Sequence, residues 1–175
     1  MTETVNGSSA ANGSSAKEEK LDSPAYQTNS ELQKQFQKEE PTLSSTDVAT
    51  ATDNSAEILR AISASQAMIE FELDGTILTA NDNFLNTLGY TLAEVQGKHH
   101  SIFLEAGVSA KPAYRQFWED LRSGKFQAGE FKRIHRNGDE VWIQASYNPV
   151  VGADGRVYKV VKNAVDITEK KVEAL

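Results

Sequence analysis

The sequence predicts an α+β domain built around a five-stranded antiparallel sheet. Two strand-like runs joined by a tight turn come first, a stretch with helical spacing follows, and three longer β-rich runs complete the folded part. Strands and helices that are segregated along a chain are typical of α+β folds. Because the turns between joined runs are too short for the crossover that parallel strands require, we expect those pairs to be antiparallel. We expect the short helices to cover one face of the sheet.

The opening hairpin is predicted from alternating hydrophobicity and from its turn. Apolar Ile69 and Phe71 alternate with the residues between them, which is the period of a strand. Asp74 and Gly75 are typical of a tight hairpin turn, since they tolerate positive backbone dihedrals. The returning strand is therefore expected at 76–80.

The middle of the chain predicts helices with recognisable ends. Asn81 can cap a short helix that Gly89 ends, and Thr91 can cap the next one, with Glu94 at the capping-box position. A longer helix is expected at 111–123. The residues at helical spacing, expected to face inward, are Phe84, Leu88, Tyr114, Phe117, Trp118 and Leu121.

Three strands are predicted to complete the sheet, at 126–136, 139–151 and 156–165. The turn after the first contains Asn137 and Gly138, a strong hairpin signal. On the middle strand, alternation predicts one face for Val141, Ile143, Ala145 and Tyr147 and the opposite face for Trp142.

The first 55 residues differ in composition from the rest. They are polar, rich in serine and acidic residues, and nearly free of aromatic residues, so they cannot bury enough apolar surface to offset the entropy of ordering. We predict a disordered extension at 1–55. An amphipathic helix capped by Ser55 is expected at 56–63, with one apolar face formed by Ile58, Leu59 and Ile62.

Composition excludes several function classes. The net charge of −7 argues against nucleic acid as a partner, and no apolar run reaches membrane-spanning length, so we expect a cytoplasmic protein. The chain has no cysteine and no zinc-site spacing among its three histidines. It also lacks phosphate-binding, dinucleotide-binding and nucleophile-elbow motifs, so we predict no catalytic residue and no enzymatic activity. His99 and His100 are expected in a surface loop.

Several ordered motifs resemble PAS sensor domains. They are FELDGTILTANDNF at 71–84, LGYTLAEVQGK at 88–98, and VYKVVKNAVDITEKK at 157–171. The resemblance covers 56–169 and implies the PAS fold, with residues 170–175 beginning the helix that passes a signal onward. At its junction, Asp166 and Thr168 can bond local backbone groups and set the angle of that helix. The chain is most similar to PAS domains at the N-terminus of methyl-accepting chemotaxis proteins and aerotaxis-type receptors.

What the resemblance implies about a cofactor is mixed. Without a cysteine, the flavin adduct of LOV domains is ruled out. Among FAD-binding PAS domains, Arg133 takes the place of a flavin-contacting asparagine, and Ala164 that of a glutamine in LOV domains; Arg133 can alternatively bond Glu130, Glu140 or backbone carbonyls. Haem is the weaker candidate, because the long helix has no histidine. The cofactor is left open, and the residues expected to line a ligand pocket are Phe84, Leu88, Phe103, Phe117, Trp118, Leu121, Phe131, Arg133, Ile143, Ala145, Tyr147 and Ala164.

The function that these observations favour is a non-catalytic, chemoreceptor-like sensory module. It would sense a small ligand or a redox state in its interior and pass the signal to a downstream module. The alternatives are an FAD-binding redox or oxygen sensor and an interaction adaptor without a ligand. A homodimer is expected through the helix at 56–63 and the outer sheet face at Trp142, with that helix or a partner subunit covering the indole.

Overall fold

A computed structural model describes residues 45–174, with side chains from residue 54 onward. Of the extension predicted to be disordered at 1–55, residues 1–44 lie outside this part of the chain, whereas residues 45–55 are helical. The α-helices are α1 (Ser45–Ser65), α2 (Asp82–Leu88), α3 (Leu92–Val95), α4 (Pro112–Arg122) and α5 (Thr168–Glu173), with 3₁₀ helices at His100–Phe103 and Val108–Ala110. The strands are β1 (Ala67–Phe71), β2 (Ile77–Ala80), β3 (Gln127–Ile134), β4 (Glu140–Val151) and β5 (Val157–Asp166).

The five strands form one antiparallel sheet in the order β2-β1-β5-β4-β3, which confirms the predicted fold class. The last strand lies in the centre, between the first strand and the long β4. In this register Tyr147 of β4 pairs with Gln127 on one side and Lys162 on the other. The centre of the sheet therefore carries the side chains nearest the middle of the core.

The predicted helix caps are confirmed. The Asn81 side chain accepts a hydrogen bond from the backbone N–H of Phe84, and Gly89 ends α2 with a left-handed φ of 75°. Thr91 and Glu94 form the predicted capping box of α3. These local bonds satisfy backbone groups at the helix ends and so place the two short helices against the sheet.

The helix before the sheet is longer than predicted. It begins at Ser45, so the predicted N-cap at Ser55 is wrong, and the domain boundary expected there falls inside α1. Its last turn is bound to the domain because the side-chain amide of Asn81 donates to the carbonyls of Ser63 and Gln66. Asn83 donates to Ser63 as well.

The core lies between the sheet and the helices that follow β2. The alternation on β4 is confirmed, since Tyr147 is buried in the core and Trp142 lies on the opposite face. The helix α4 contributes the buried residues Tyr114, Phe117, Trp118 and Leu121. Within residues 45–174, no helix combines the length and apolar character needed to cross a membrane.

Candidate functional site

The residues predicted to line a ligand pocket all lie in the buried interior. The structure places each of them within the core, including Arg133, which is 6% exposed. Their burial equally suits a packed core, so their binding of a ligand stays a prediction. The buried set is Phe84, Leu88, Phe103, Phe117, Trp118, Leu121, Phe131, Arg133, Ile143, Ala145, Tyr147 and Ala164.

The prediction that His99 and His100 lie in a surface loop is wrong. His100 is fully buried, whereas His99 is half-buried and caps the 3₁₀ helix that follows. The reason is a bridge between Thr76 and His99, with the backbone N–H of His100 donating to the Gly75 carbonyl at 2.8 Å. This segment therefore runs beside the start of β2, and His100 is directed into the core.

A chain of buried polar groups crosses the interior. Arg133 Nη2 donates to the Tyr147 hydroxyl at 2.8 Å, and that oxygen lies 3.1 Å from His100 Nε2. His100 Nδ1 lies 2.9 Å from the Tyr114 hydroxyl. Because the Tyr147 hydroxyl oxygen already accepts from Arg133, we assign this hydroxyl as the donor to His100 Nε2. The imidazole proton is then on Nδ1, which donates to the Tyr114 hydroxyl.

The surroundings keep His100 neutral. Burial is the main cause that lowers the pKa of His100 well below its usual value, and the nearby charges of Arg133 and Lys162 lower it further. A neutral imidazole has one donor and one acceptor, which matches the assigned bonds to its two tyrosine neighbours. The hydrogen bonds of this buried network therefore all donate in one direction, from the Arg133 guanidinium through Tyr147 and His100 to the Tyr114 hydroxyl.

Lys162 is a buried basic residue of this interior that the sequence analysis did not identify. It is fully buried, and its Nζ lies 4.7 Å from the centroid of the Tyr147 ring and 5.3 Å from that of Phe84. Burial, followed by the charge of Arg133, lowers the pKa of Lys162 well below its usual value. A signal was present in the alternation of β5, because Val160, Lys162 and Ala164 occupy the same inward face.

Within the part of the chain that the structure describes, three buried donors of this interior have no hydrogen-bond partner. They are Trp118 Nε1, Arg133 Nε and Lys162 Nζ. Arg133 bonds the Lys132 carbonyl and Tyr147 through its other nitrogens, which matches the predicted carbonyl alternative and not the carboxylate one. Buried polar groups are normally paired, so these donors are available to a partner with acceptor oxygens. A flavin ring has such oxygens at its polar edge, and these residue types fit it.

The outer face of the sheet carries the connection to α5. The backbone N–H of Trp142 donates to Thr168 Oγ1 at 3.0 Å, and its carbonyl accepts from the Ile167 N–H at 2.8 Å. Lys171 pairs with Glu130, and its Nζ lies 4.9 Å from the Trp142 ring centroid. Lys171 of α5 therefore contacts the Trp142 ring, and the expected cover of the indole by α1 or by a partner subunit stays a prediction.

The start of α5 has the predicted local bonds. Asp166 Oδ1 accepts from the backbone N–H of Thr168 at 2.9 Å and from its hydroxyl at 2.6 Å. The strand thus turns into the helix at a hydrogen-bonded corner. Across the described part of the chain, no three histidine, aspartate or glutamate side chains are grouped as a metal site would need.

Solved structures with the same fold share little sequence with this chain. A light-oxygen-voltage domain studied with a flavin analogue has a TM-score of 0.57 at 19% identity, and the match covers 70% of this chain and 93% of that one. A PAS domain from Colwellia psychrerythraea has a TM-score of 0.58 at 17% identity, over 66% of this chain and 98% of that one. These similarities show the fold.

Proteins related in sequence are more informative about the family of this chain. The biofilm dispersion protein BdlA of Pseudomonas aeruginosa is 52% identical over 112 residues, covering 64% of this chain and 27% of BdlA. The aerotaxis receptor of Escherichia coli is 30% identical over 104 residues, covering 59% of this chain and 20% of the receptor. This chain thus corresponds to about a quarter of the length of these relatives or less. The PAS fold profile matches residues 77–164, about half of the chain. The chain therefore belongs to the PAS fold family.

Proposed function

We propose that this domain is a non-catalytic sensory module whose interior binds a small molecule and whose α5 transmits the bound state. The observation that carries the proposal is the group of unpaired donors on Trp118, Arg133 and Lys162, which a filled structural core would not need. Its similarity to an aerotaxis receptor supports a sensory role in a chemotaxis-type protein.

The sheet offers a short route from the interior to α5. Tyr147 and Trp142 lie on opposite faces of β4, and Tyr147 pairs directly with Lys162 of β5. The same two strands lead to the corner where Thr168 holds the Trp142 backbone. A ligand that moves Lys162 or Tyr147 would shift β4 against β5, and the hydrogen bonds at this corner would change with them. A bias of a few kcal/mol between two arrangements is enough to change the output.

Redox sensing through FAD is the second candidate. It is favoured by the donors that suit a flavin edge and by the relatives, an aerotaxis receptor and a domain studied with a flavin analogue. Arg133, Lys162 and Trp118 would hold the acceptor oxygens of the ring, and bound flavin would supply reversible electron transfer. Haem is less well supported, because both ring nitrogens of His100 already have tyrosine partners.

The apolar face of α1 supports a homodimer. Ile58, Leu59 and Ile62 are 52%, 57% and 41% exposed, which is unusual for three neighbouring apolar side chains on one helix. Beside them, a cleft of about 290 Å³ lies between α1 and the outer side of β1 and β2. We propose that a second copy covers this surface and that a downstream module continues the signal, as the greater length of the relatives suggests.

One experiment separates these candidates. The full chain is purified under mild conditions, its visible spectrum is recorded, and released small molecules are identified by mass spectrometry. Amide hydrogen exchange is then compared before and after the bound molecule is removed. The proposal expects a bound molecule and a change in exchange at 166–173. A chain that binds no molecule and exchanges identically in oxidising and reducing buffer would instead be an interaction adaptor.

A further inference from the structure

The charges in the interior are unbalanced. Of the residues whose burial the structure describes, the buried basic side chains are Arg133, Lys162 and His100, and no aspartate or glutamate is buried with them. A guanidinium keeps its charge across the physiological pH range. A buried cation without a counter-ion is costly, which is why buried charges in proteins are normally paired.

Two basic side chains meet at Tyr147. The Arg133 guanidinium donates to the hydroxyl of Tyr147, and Lys162 Nζ lies over the face of the same ring. Within the described part of the chain, Arg133 Nε and Lys162 Nζ have no hydrogen-bond acceptor. A ring face supplies no oxygen acceptor for the N–H groups of Lys162, whether its amine is neutral or protonated.

Two carboxylates of β3 and β4 already form ion pairs. Glu130 pairs with Lys171, and Glu140 with Lys132, both on the solvent side of the sheet. Neither can neutralise the interior without breaking an existing ion pair. Within the part of the chain whose side chains the structure describes, no buried carboxylate therefore balances the Arg133 guanidinium.

We infer that the ligand of this interior is a small organic anion, whose charged oxygen binds between the Lys162 ammonium and the Arg133 guanidinium. The inference specifies the class of ligand that the sensory site would bind, and it rests on the proposed function. The rest of the ligand would contact aromatic rings, because Phe71, Phe117 and Phe131 all pack against Tyr147. A carboxylate with an apolar body has both properties.

The titration behaviour of the site agrees with this ligand class. Burial and the charge of Arg133 lower the pKa of Lys162, and the charges of Arg133 and Lys162 contribute to the lowered pKa of His100. Burial is the main cause of both lowered pKa values, and the neighbouring positive charge adds to each. A bound carboxylate would raise the pKa of Lys162, so binding would take up a proton at pH values where the empty site holds a neutral amine.

The test compares anions with neutral molecules of the same shape. Acetate, succinate and benzoate are titrated into the full chain, each beside its amide, with calorimetry and thermal unfolding as readouts. At least one carboxylate should bind with roughly tenfold or greater preference over its amide, as a charge-assisted hydrogen bond supports. Lys162→Met should reduce that preference to within about twofold, and Arg133→Met provides a second, independent variant. Lys159→Met, which removes a lysine paired with Glu70 on the outer face, should leave the preference unchanged.

Different results contradict the inference alone or the proposed function as well. Equal binding of carboxylate and amide, or an unchanged preference in both interior variants, would overturn the anion while leaving a sensory domain with a neutral ligand. A yellow protein with tightly bound flavin that no carboxylate displaces would also overturn it and favour the redox candidate. If no carboxylate binds, and neither a co-purified molecule nor an amide is found in the interior, the proposed function fails together with the inference.

Discussion

Thr168 Oγ1 accepts a hydrogen bond from the backbone N–H of Trp142 at 3.0 Å, so the first residue of α5 is bound near the start of β4. The adjacent Ile167 N–H donates to the carbonyl of Trp142. The backbone N–H and the carbonyl of Trp142 are thus both bonded to residues at the start of α5. Movement of β4 at Trp142 and movement of α5 are directly coupled.

Replacing Thr168 by alanine should loosen α5. The Trp142 N–H would lose its acceptor at a partly buried position, which costs about 1–3 kcal/mol in the free energy of unfolding. Amide exchange of 168–173 should accelerate more than that of the strands. Thr168→Ser keeps the hydroxyl and serves as the control. Identical exchange in the alanine and serine variants would show that this bond does not hold the helix.

Lys171 should affect the position of α5 more than the stability of the domain. Its ion pair with Glu130 is solvent-exposed in part, and such pairs contribute less than about 1 kcal/mol. Lys171→Ala removes that pair and the cation over Trp142, so the Trp142 fluorescence should change while urea unfolding changes little. Lys170→Ala, at an exposed position on the same turn, is the matched control. Equal spectra for the two variants would contradict the contact.

The stability of the empty protein should rise with pH because of its two buried bases. His100 and Lys162 have lowered pKa values, so the unfolded chain binds their protons at pH values where the folded protein does not. The part of the free energy of unfolding linked to His100 is fully present above about pH 6.5 and is lost as the pH falls below that value. The part linked to Lys162 is fully present above about pH 10.5 and decreases as the pH falls below it. Between the ordinary pKa of the lysine in the unfolded chain and its lower pKa in the folded protein, the slope is at most about 1.4 kcal/mol per pH unit.

Lys162→Met tests this dependence directly. Without the buried amine, the free energy of unfolding at neutral pH should increase by about 1–3 kcal/mol, and its slope between pH 8 and 10 should flatten. Urea titrations across the pH series measure both. Lys159→Met, at a partly exposed position, should keep the slope of the parent chain. A parent chain without any slope in this range would show that Lys162 is charged when buried.

Gly75 should tolerate alanine less well than another hairpin glycine. Its φ is 91°, and an added Cβ would lie 2.6 Å from His99 Nε2, which bonds the Asp74 carbonyl. Gly138 has a similar φ of 95° but open space around it, so Gly138→Ala reports the backbone strain of about 1–2 kcal/mol alone. Gly75→Ala should cost about 1–3 kcal/mol more than this control in thermal or urea unfolding. Equal costs would mean that His99 moves freely.

Asn81 should be the most sensitive polar residue near α1. Its side-chain oxygen accepts from the backbone N–H groups of Met68 and Phe84, and its amide donates to carbonyls at the end of α1. Asn81→Ala removes a helix cap and leaves several partly buried groups unpaired, so a loss of about 2–4 kcal/mol is expected. Asn83→Ala removes bonds to α1 only and should cost less. Similar losses in the two variants would assign the effect to α1 rather than to the cap.

The fold could be predicted because its signals are local. Alternation on β4, the Asn81 cap and the capping box at Thr91 each depend on neighbours within a few residues. The position of His100 could not be predicted in this way, because it depends on a bridge between residues 76 and 99 that no local pattern shows. Lys162 was missed although its strand periodicity was visible, since lysines are almost never fully buried without a partner.

Ala67, the first residue of β1, pairs with Ala164 near the end of β5. The helix that leads into the domain and the helix that leads out of it are consequently attached to neighbouring strands running in opposite directions. Twisting this one strand pair would rotate both attachments in concert, so a domain of this kind can be inserted between two rigid segments and alter the angle between them.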